Sequence, residues 1–211
     1  TFVTTLKKYT EVTEVKNTNI DSLNRELKNY NTVIIGFHKV NKTWDKQEFT
    51  ATELVWLQEI SKHNKVILDI FSKPYSLLPL TNFDDIEGLV VSYQNSDISQ
   101  VVSAEVLFGA IEAKGKLPVS INKHFNVNDG LSTVKLNRLG FTAPENEGMN
   151  PLVLSKIDSI AKKAIDGKMT PGMQVLVARK GNVIFQKSYG HHTYDNTMKV
   201  SNSDLYDVEK I

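Results

Sequence analysis

Ser-x-x-Lys is a spacing that could do chemistry, because a lysine one helical turn beyond a serine can take its proton. It occurs here at Ser120/Lys123, Ser132/Lys135 and Ser159/Lys162. The reaction requires the serine at the start of a helix. Ser159 falls in the middle of a helical pattern and the other two in an irregular stretch, so all three are read as accidental. Of the five histidines, His38 follows the apolar run Thr32–Phe37. That places it at the carboxyl end of an expected strand, where α/β proteins bind ligands. His38 is therefore the candidate ligand-binding residue, against the plainer reading of a loop histidine bonded to backbone. His191-His192 are neighbours that would point to opposite faces of a strand, so they do not share an ion, and no metal site is expected.

Carboxylates offer a second chemistry, since glycoside hydrolysis uses a pair about 5–10 Å apart. Asp84-Asp85-x-Glu87 is the densest group, but an acidic turn before a strand is ordinarily solvated. Trp44 and Trp56 are of the type that stacks on sugars, and Trp56 also fits a helical apolar stripe. Gly109, Gly115 and Lys116 imitate a phosphate loop with the wrong spacing, after a helix instead of a strand. There is no Gly-x-Gly-x-x-Gly, so no cofactor is expected, and no residue is assigned as catalytic.

The whole-chain properties narrow the partners. With 40% hydrophobic and 23% charged residues the composition is globular, not disordered. Residues 1–140 hold 16 basic and 16 acidic side chains, and residues 141–211 hold 9 and 8, which leaves no basic stripe for nucleic acid. No stretch reaches the ~18 consecutive apolar residues of a membrane span. Cysteine is absent, which excludes a disulfide framework and thiolate zinc sites. The first residues, Thr1-Phe2-Val3-Thr4-Thr5, carry neither an initiator methionine nor a signal layout, and read as an artificial start.

The elements that must position these residues follow from periodicity. Thr32–Phe37, Lys65–Phe71 and Gly88–Tyr93 are short β-branched runs suited to strands buried on both faces. Thr1–Thr10 and Leu117–Ile121 add marginal strands. Helical patterns cover Asp21–Tyr30, Ala51–His63 and Ser96–Lys114, the last stopping at Lys114-Gly115. Alternation of this kind predicts an α/β fold: a doubly wound, mostly parallel sheet in a layered αβα sandwich over residues 1–140. A linker is expected over 141–150. Beyond it, a helix over Pro151–Lys168 and a hairpin of Met173–Arg179 and Asn182–Tyr189 about Lys180-Gly181 predict a small, partial α+β segment, 151–211.

Particular runs carry a family resemblance. VIIGFH (33–38), VILDIFSKPYSL (66–77) and AEVLFGAIEAKGKLPVSI (104–121) resemble the C-terminal α/β sandwich domain of glycoside hydrolase family 3. TPGMQVLVARKGNVIFQKSYGHHTYDNTMKVSNSDLYD (170–207) resembles the opening of a serine β-lactamase/penicillin-binding-type domain. In that family a nucleophilic serine follows at once with x-x-Lys, whereas this chain reads Val208-Glu209-Lys210-Ile211. The order of the two parts resembles exported β-N-acetylglucosaminidase fusions. The resemblance implies carbohydrate metabolism in the periplasm or at the cell surface, and an N-acetylglucosamine-containing glycan. It also implies a partner (β/α)8 barrel, absent from these residues, that carries the nucleophilic aspartate. Some branches place a glutamate on the sandwich, and neither Glu48 nor Glu53 is assigned to that role. The expectation is an accessory segment of a hydrolase that is inactive alone; the alternative is a stand-alone glycan-binding or scaffold module.

Overall fold

The computed structural model describes residues 1–40 and 47–206, and divides into two units, Thr1–Asn137 and Arg138–Ile211. In the first unit, helices α1 (Phe2–Leu6) and α2 (Ile20–Leu27) precede strand β1 (Val33–His38). Helix α3 (Ala51–Ser61), strands β2 (Val66–Phe71) and β3 (Ile86–Val91), and helix α4 (Asp97–Leu107) follow. The three strands form one parallel sheet in the order β1-β2-β3, in register from Val33↔Val66 to His38↔Phe71.

Helices cover both faces of this sheet because successive side chains point to opposite sides. Val33, Phe37, Val66, Leu68 and Ile70 join Leu23 and Leu27 of α2 and Leu57 and Ile60 of α3 in the larger core. Phe71 joins Phe2 and Leu6 of α1 and Ala104 of α4 in a second core, with Ile34 packed against it. β2 has its core side chains entirely out of water: Val66, Leu68, Ile70 and Phe71 are all 0% exposed. Such burial is worth about 1.5–3 kcal/mol per large apolar side chain, so β2 is the axis of the unit.

Helix starts follow local chemistry. Asn19 caps α2, Ser96 caps α4, and Thr50 with Glu53 forms a capping box at α3. Three expectations change. Thr1–Thr10 contains a helix, not a strand: Phe2, Thr5 and Leu6 recur at helical spacing and bury together, which overrides the β preference of Val3 and the threonines. Leu117–Ile121 is a loop that contains Pro118, and Ile121 makes an isolated antiparallel bridge to Phe125. α4 ends at Leu107, seven residues before Lys114, where the chain turns and the Leu136 amide bonds the Gly109 carbonyl.

In the second unit, residues 141–150 take part in the fold instead of simply joining two parts. β4 (Gly140–Phe141) pairs parallel with a later strand, and a 3-10 turn over Pro144–Glu147 buries Glu147, which accepts a bond from Asn182 at 2.7 Å. The expected Pro151–Lys168 helix is split at Ser155 into α5 (Pro151–Leu154) and α6 (Lys156–Asp166), and the Ser155 hydroxyl bonds back to the Leu152 carbonyl. β5 (Gly172–Arg179) and β6 (Asn182–Gly190) form the expected antiparallel hairpin, and the sheet order is β4-β6-β5.

Lys180 and Gly181 both have positive φ, 50° and 84°, the backbone of a type I′ turn. Lysine is strained there, so Lys180→Asn should raise stability by about 0.5–1 kcal/mol, read from urea melts. At the hairpin's open end Gly172 faces Gly190. A Cβ on Gly190 would overlap the Pro171 carbonyl, and φ is 71° there, so only glycine lets the two backbones approach this closely.

Candidate functional site

The sheet's carboxyl end gathers polar side chains. His38 closes β1, Ser72 follows β2, and Ser92 and Tyr93 follow β3. The sequence places Asn95 and Ser96 just before α4. His38 is exposed, yet its ring is not free to wander. It stacks on Phe71 with centroids 4.4 Å apart and planes 5° apart, and Phe2 meets it edge-on at 6.0 Å. Its Nδ1 lies 2.9 Å from Asn95 Oδ1.

The surrounding bonds fix the tautomer. The Phe2 backbone N–H donates to Gln100 Oε1 at 3.0 Å, so the other end of that amide, Nε2, is the donor to Asn95 Oδ1 at 2.9 Å. Asn95 Oδ1 is therefore an acceptor, and His38 must donate to it from Nδ1. In the neutral ring this leaves Nε2 as an acceptor, and none of the described residues bonds to it. Ring nitrogen NMR should find His38 with its proton on Nδ1; a proton on Nε2 would contradict the network.

Nε2 lies over Gly36. A Cβ added at Gly36 would sit 2.6 Å from it, and the ring has little freedom to yield between Phe71 and Asn95. Gly36→Ala should therefore displace the imidazole and change its ring shifts while leaving the β1–β2 pairing intact, as an amide spectrum would report.

Beneath the histidine sits a group that the sequence reading passed over. Asp69, in the middle of β2, is fully buried and accepts from Ser92 Oγ at 2.8 Å and from Ser103 Oγ of α4. Burial pushes its pKa up, against the lowering effects of the two serines and of His38. Its carboxylate thus ties α4 and the end of β3 to the strand that carries Phe71. A neighbouring pair, Ser72 and Gln47, bond at 2.9 Å, and Gln47 also donates to the Val40 carbonyl.

The other candidate residues do not converge on this end. Asp84, Asp85 and Glu87 are exposed where β3 begins, at the opposite end of the sheet. Glu53 is spent in the α3 capping box and on Lys39, 2.9 Å away; burial raises its pKa, but the Thr50 and Lys39 bonds outweigh this and hold it below the usual range. Ser159 lies inside α6, bonded to the Lys156 carbonyl, while Ser120 accepts the Val127 amide, so neither begins a helix. Trp56 is half-buried and packs on the larger core. Trp44 and the Val208–Ile211 end lie outside the described residues. Among the described residues, no three His, Asp or Glu come together as metal ligands, and no helix is long and apolar enough to cross a membrane.

The second unit holds two tempting clusters. His192 Nε2 lies 2.7 Å from Asp204 Oδ2, and Ser201 Oγ donates to Asp204 Oδ1 at 2.7 Å. Serine and histidine both bond the aspartate and not each other, so the histidine is not placed to take the serine's proton. The arrangement is a turn closed by Asp204. On α6, Asp158 accepts from Lys187 Nζ at 2.9 Å and from the Tyr189 hydroxyl at 2.7 Å, pinning helix to hairpin. Burial, aided by Asp158, pushes the Tyr189 pKa up to about 12. Because the folded value is raised, its stabilising effect is complete below the ordinary tyrosine pKa of about 10 and is lost as pH climbs toward 12. Ultraviolet titration of the chain against Tyr189→Phe should show one tyrosine ionising late.

The chain matches no protein-family model, no curated protein and no solved structure.

Proposed function

We propose that this chain is the accessory, non-barrel part of an exported glycoside hydrolase of the β-N-acetylglucosaminidase type, in which the first unit borders a glycan held mainly by a (β/α)8 barrel. Its sheet would belong to a doubly wound α/β sandwich of the family 3 kind, and the second unit to a serine β-lactamase-like domain. The observation that supports this reading is the fixed imidazole of His38 at the carboxyl end of β1. A bare Nε2 acceptor beside Asn95 suits a sugar hydroxyl or an N-acetyl N–H. The engaged state of Asp69 and Glu53 supports a site that contacts sugar without cleaving it.

The test has two parts. Incubated with a chromogenic N-acetylglucosaminide, the chain should release product no faster than buffer; release abolished by one substitution in the first unit would overturn the accessory role. Titrated with N-acetylglucosamine oligomers, the His38 ring and Asn95 amide signals should move together only when the barrel is supplied.

Saturable shifts in the chain alone, lost in His38→Ala, would favour the second reading, a stand-alone glycan-binding module. The exposed position of His38 favours that alternative.

A further inference from the structure

Among the described residues, β1 has β2 as a strand neighbour on one side and none on the other. The Val33 amide donates to the Lys65 carbonyl, so in a parallel ladder the backbone groups of Val33, Ile35 and Phe37 point toward β2. Those of Ile34, Gly36 and His38 point the other way, and among the described residues none of their amides has a backbone partner there. A groove of about 1190 Å³ runs along this edge, lined by every residue from Thr32 to His38. Its walls come from both helical layers. Leu107 and Phe108, at the end of α4, stand on one side of the sheet plane, and Tyr30 and Trp56 on the other, all half-buried.

A floor of unpaired backbone groups between two apolar walls is what a missing neighbour strand leaves. We propose that the open edge of β1 receives a fourth strand, supplied by a partner polypeptide segment of consecutive β-branched apolar residues with a basic flank. Six extended residues, at about 3.3 Å each, match the length of β1, and another extended backbone meets a row of alternating donors and acceptors at every step. Both walls are apolar, so the segment needs apolar side chains on both faces, as β1 itself has. The basic flank follows from charge: Glu11, Glu14 and Glu53 line the groove against Lys16. Lys16 and Lys39 engage Glu14 and Glu53, and among the described residues Glu11 is the groove carboxylate with no ion pair. A second copy is the poorer occupant, since residues 10–17 wall the groove and keep two β1 edges from meeting.

Amide exchange on the full chain tests it. The probe is a synthetic peptide of six alternating valines and isoleucines with two lysines at each end; the control replaces the six with serine and glycine. The apolar peptide should slow exchange at Ile34, Gly36 and His38 at least tenfold, and the control should not. Ile34→Pro removes one outward amide and should abolish the effect, with protection at Val33, Ile35 and Phe37 showing that the sheet still forms. Leu107→Glu, on the wall, should weaken binding at least tenfold without touching the edge. Amides already slow in the dilute chain, slowing that grows with chain concentration alone, equal slowing by the control, or no slowing by the apolar peptide would each overturn the proposal.

Discussion

Truncating Phe71 to alanine is expected to cost the first unit about 3–5 kcal/mol, the range for emptying a fully buried aromatic site. The side chain is 0% exposed and contacts Phe2 edge-on at 5.0 Å and His38 face-on at 4.4 Å. Its loss removes the anchor of α1 and the platform of the histidine together. Urea unfolding should report the first effect as a lower midpoint. Ring NMR should report the second, as averaging of the His38 signals under conditions where the variant remains folded. Phe71→Leu, which keeps most of the volume but not the flat face, should recover much of the stability and little of the ring order. A variant that lost neither would show that the stacked rings merely lie beside each other.

The second large effect concerns Asp69. Asp69→Ala should lose about 2–4 kcal/mol, because it leaves a cavity and strips the acceptor from two hydroxyls, one of them on buried Ser103. Asp69→Asn keeps the shape and can still accept from one serine while donating to the other, so it should stay within about 1 kcal/mol of the parent at neutral pH. The two carboxyl forms also predict a pH dependence. Burial raises the folded pKa, so the folded state holds the proton more tightly than the unfolded chain. The contribution of protonated Asp69 is present below the ordinary aspartate value of about 3.9 and is lost as pH rises through the folded value. Stability measured across that window should fall for the parent relative to Asp69→Asn, and parallel curves would refute the assignment.

What was legible in the sequence was what local pattern controls. The three parallel strands are continuous apolar runs, and the hairpin carries its own turn signal at Lys180-Gly181, so these emerge with small shifts at their ends. α1 was misread because its residues favour strand locally and become helical only through burial against Phe71 and Ala104. The break at Ser155 left no trace in an otherwise helical stretch. His38 could be picked out from its place after a strand, but its partner Asn95 lies 57 residues away, and no local pattern joins them. Asp69 did leave a signal: it is the single charge inside the apolar run VILDIF, which is where a paired, buried carboxylate has to be.

Helix α1 has one further consequence, for the order in which the chain is made. Residues made well before α4 dock on it: the Thr1 hydroxyl donates to Asp97, the Phe2 amide donates to Gln100, and Tyr9 stacks on Phe108. At a synthesis rate of about 5–20 residues per second, α1 is made roughly 5–20 s before α4 is complete. A five-residue helix cannot persist alone in water. Of the other buried residues in their core, Phe2 and Leu6 therefore have only Phe71 of β2 to pack on until α4 emerges and brings Ala104 to complete it.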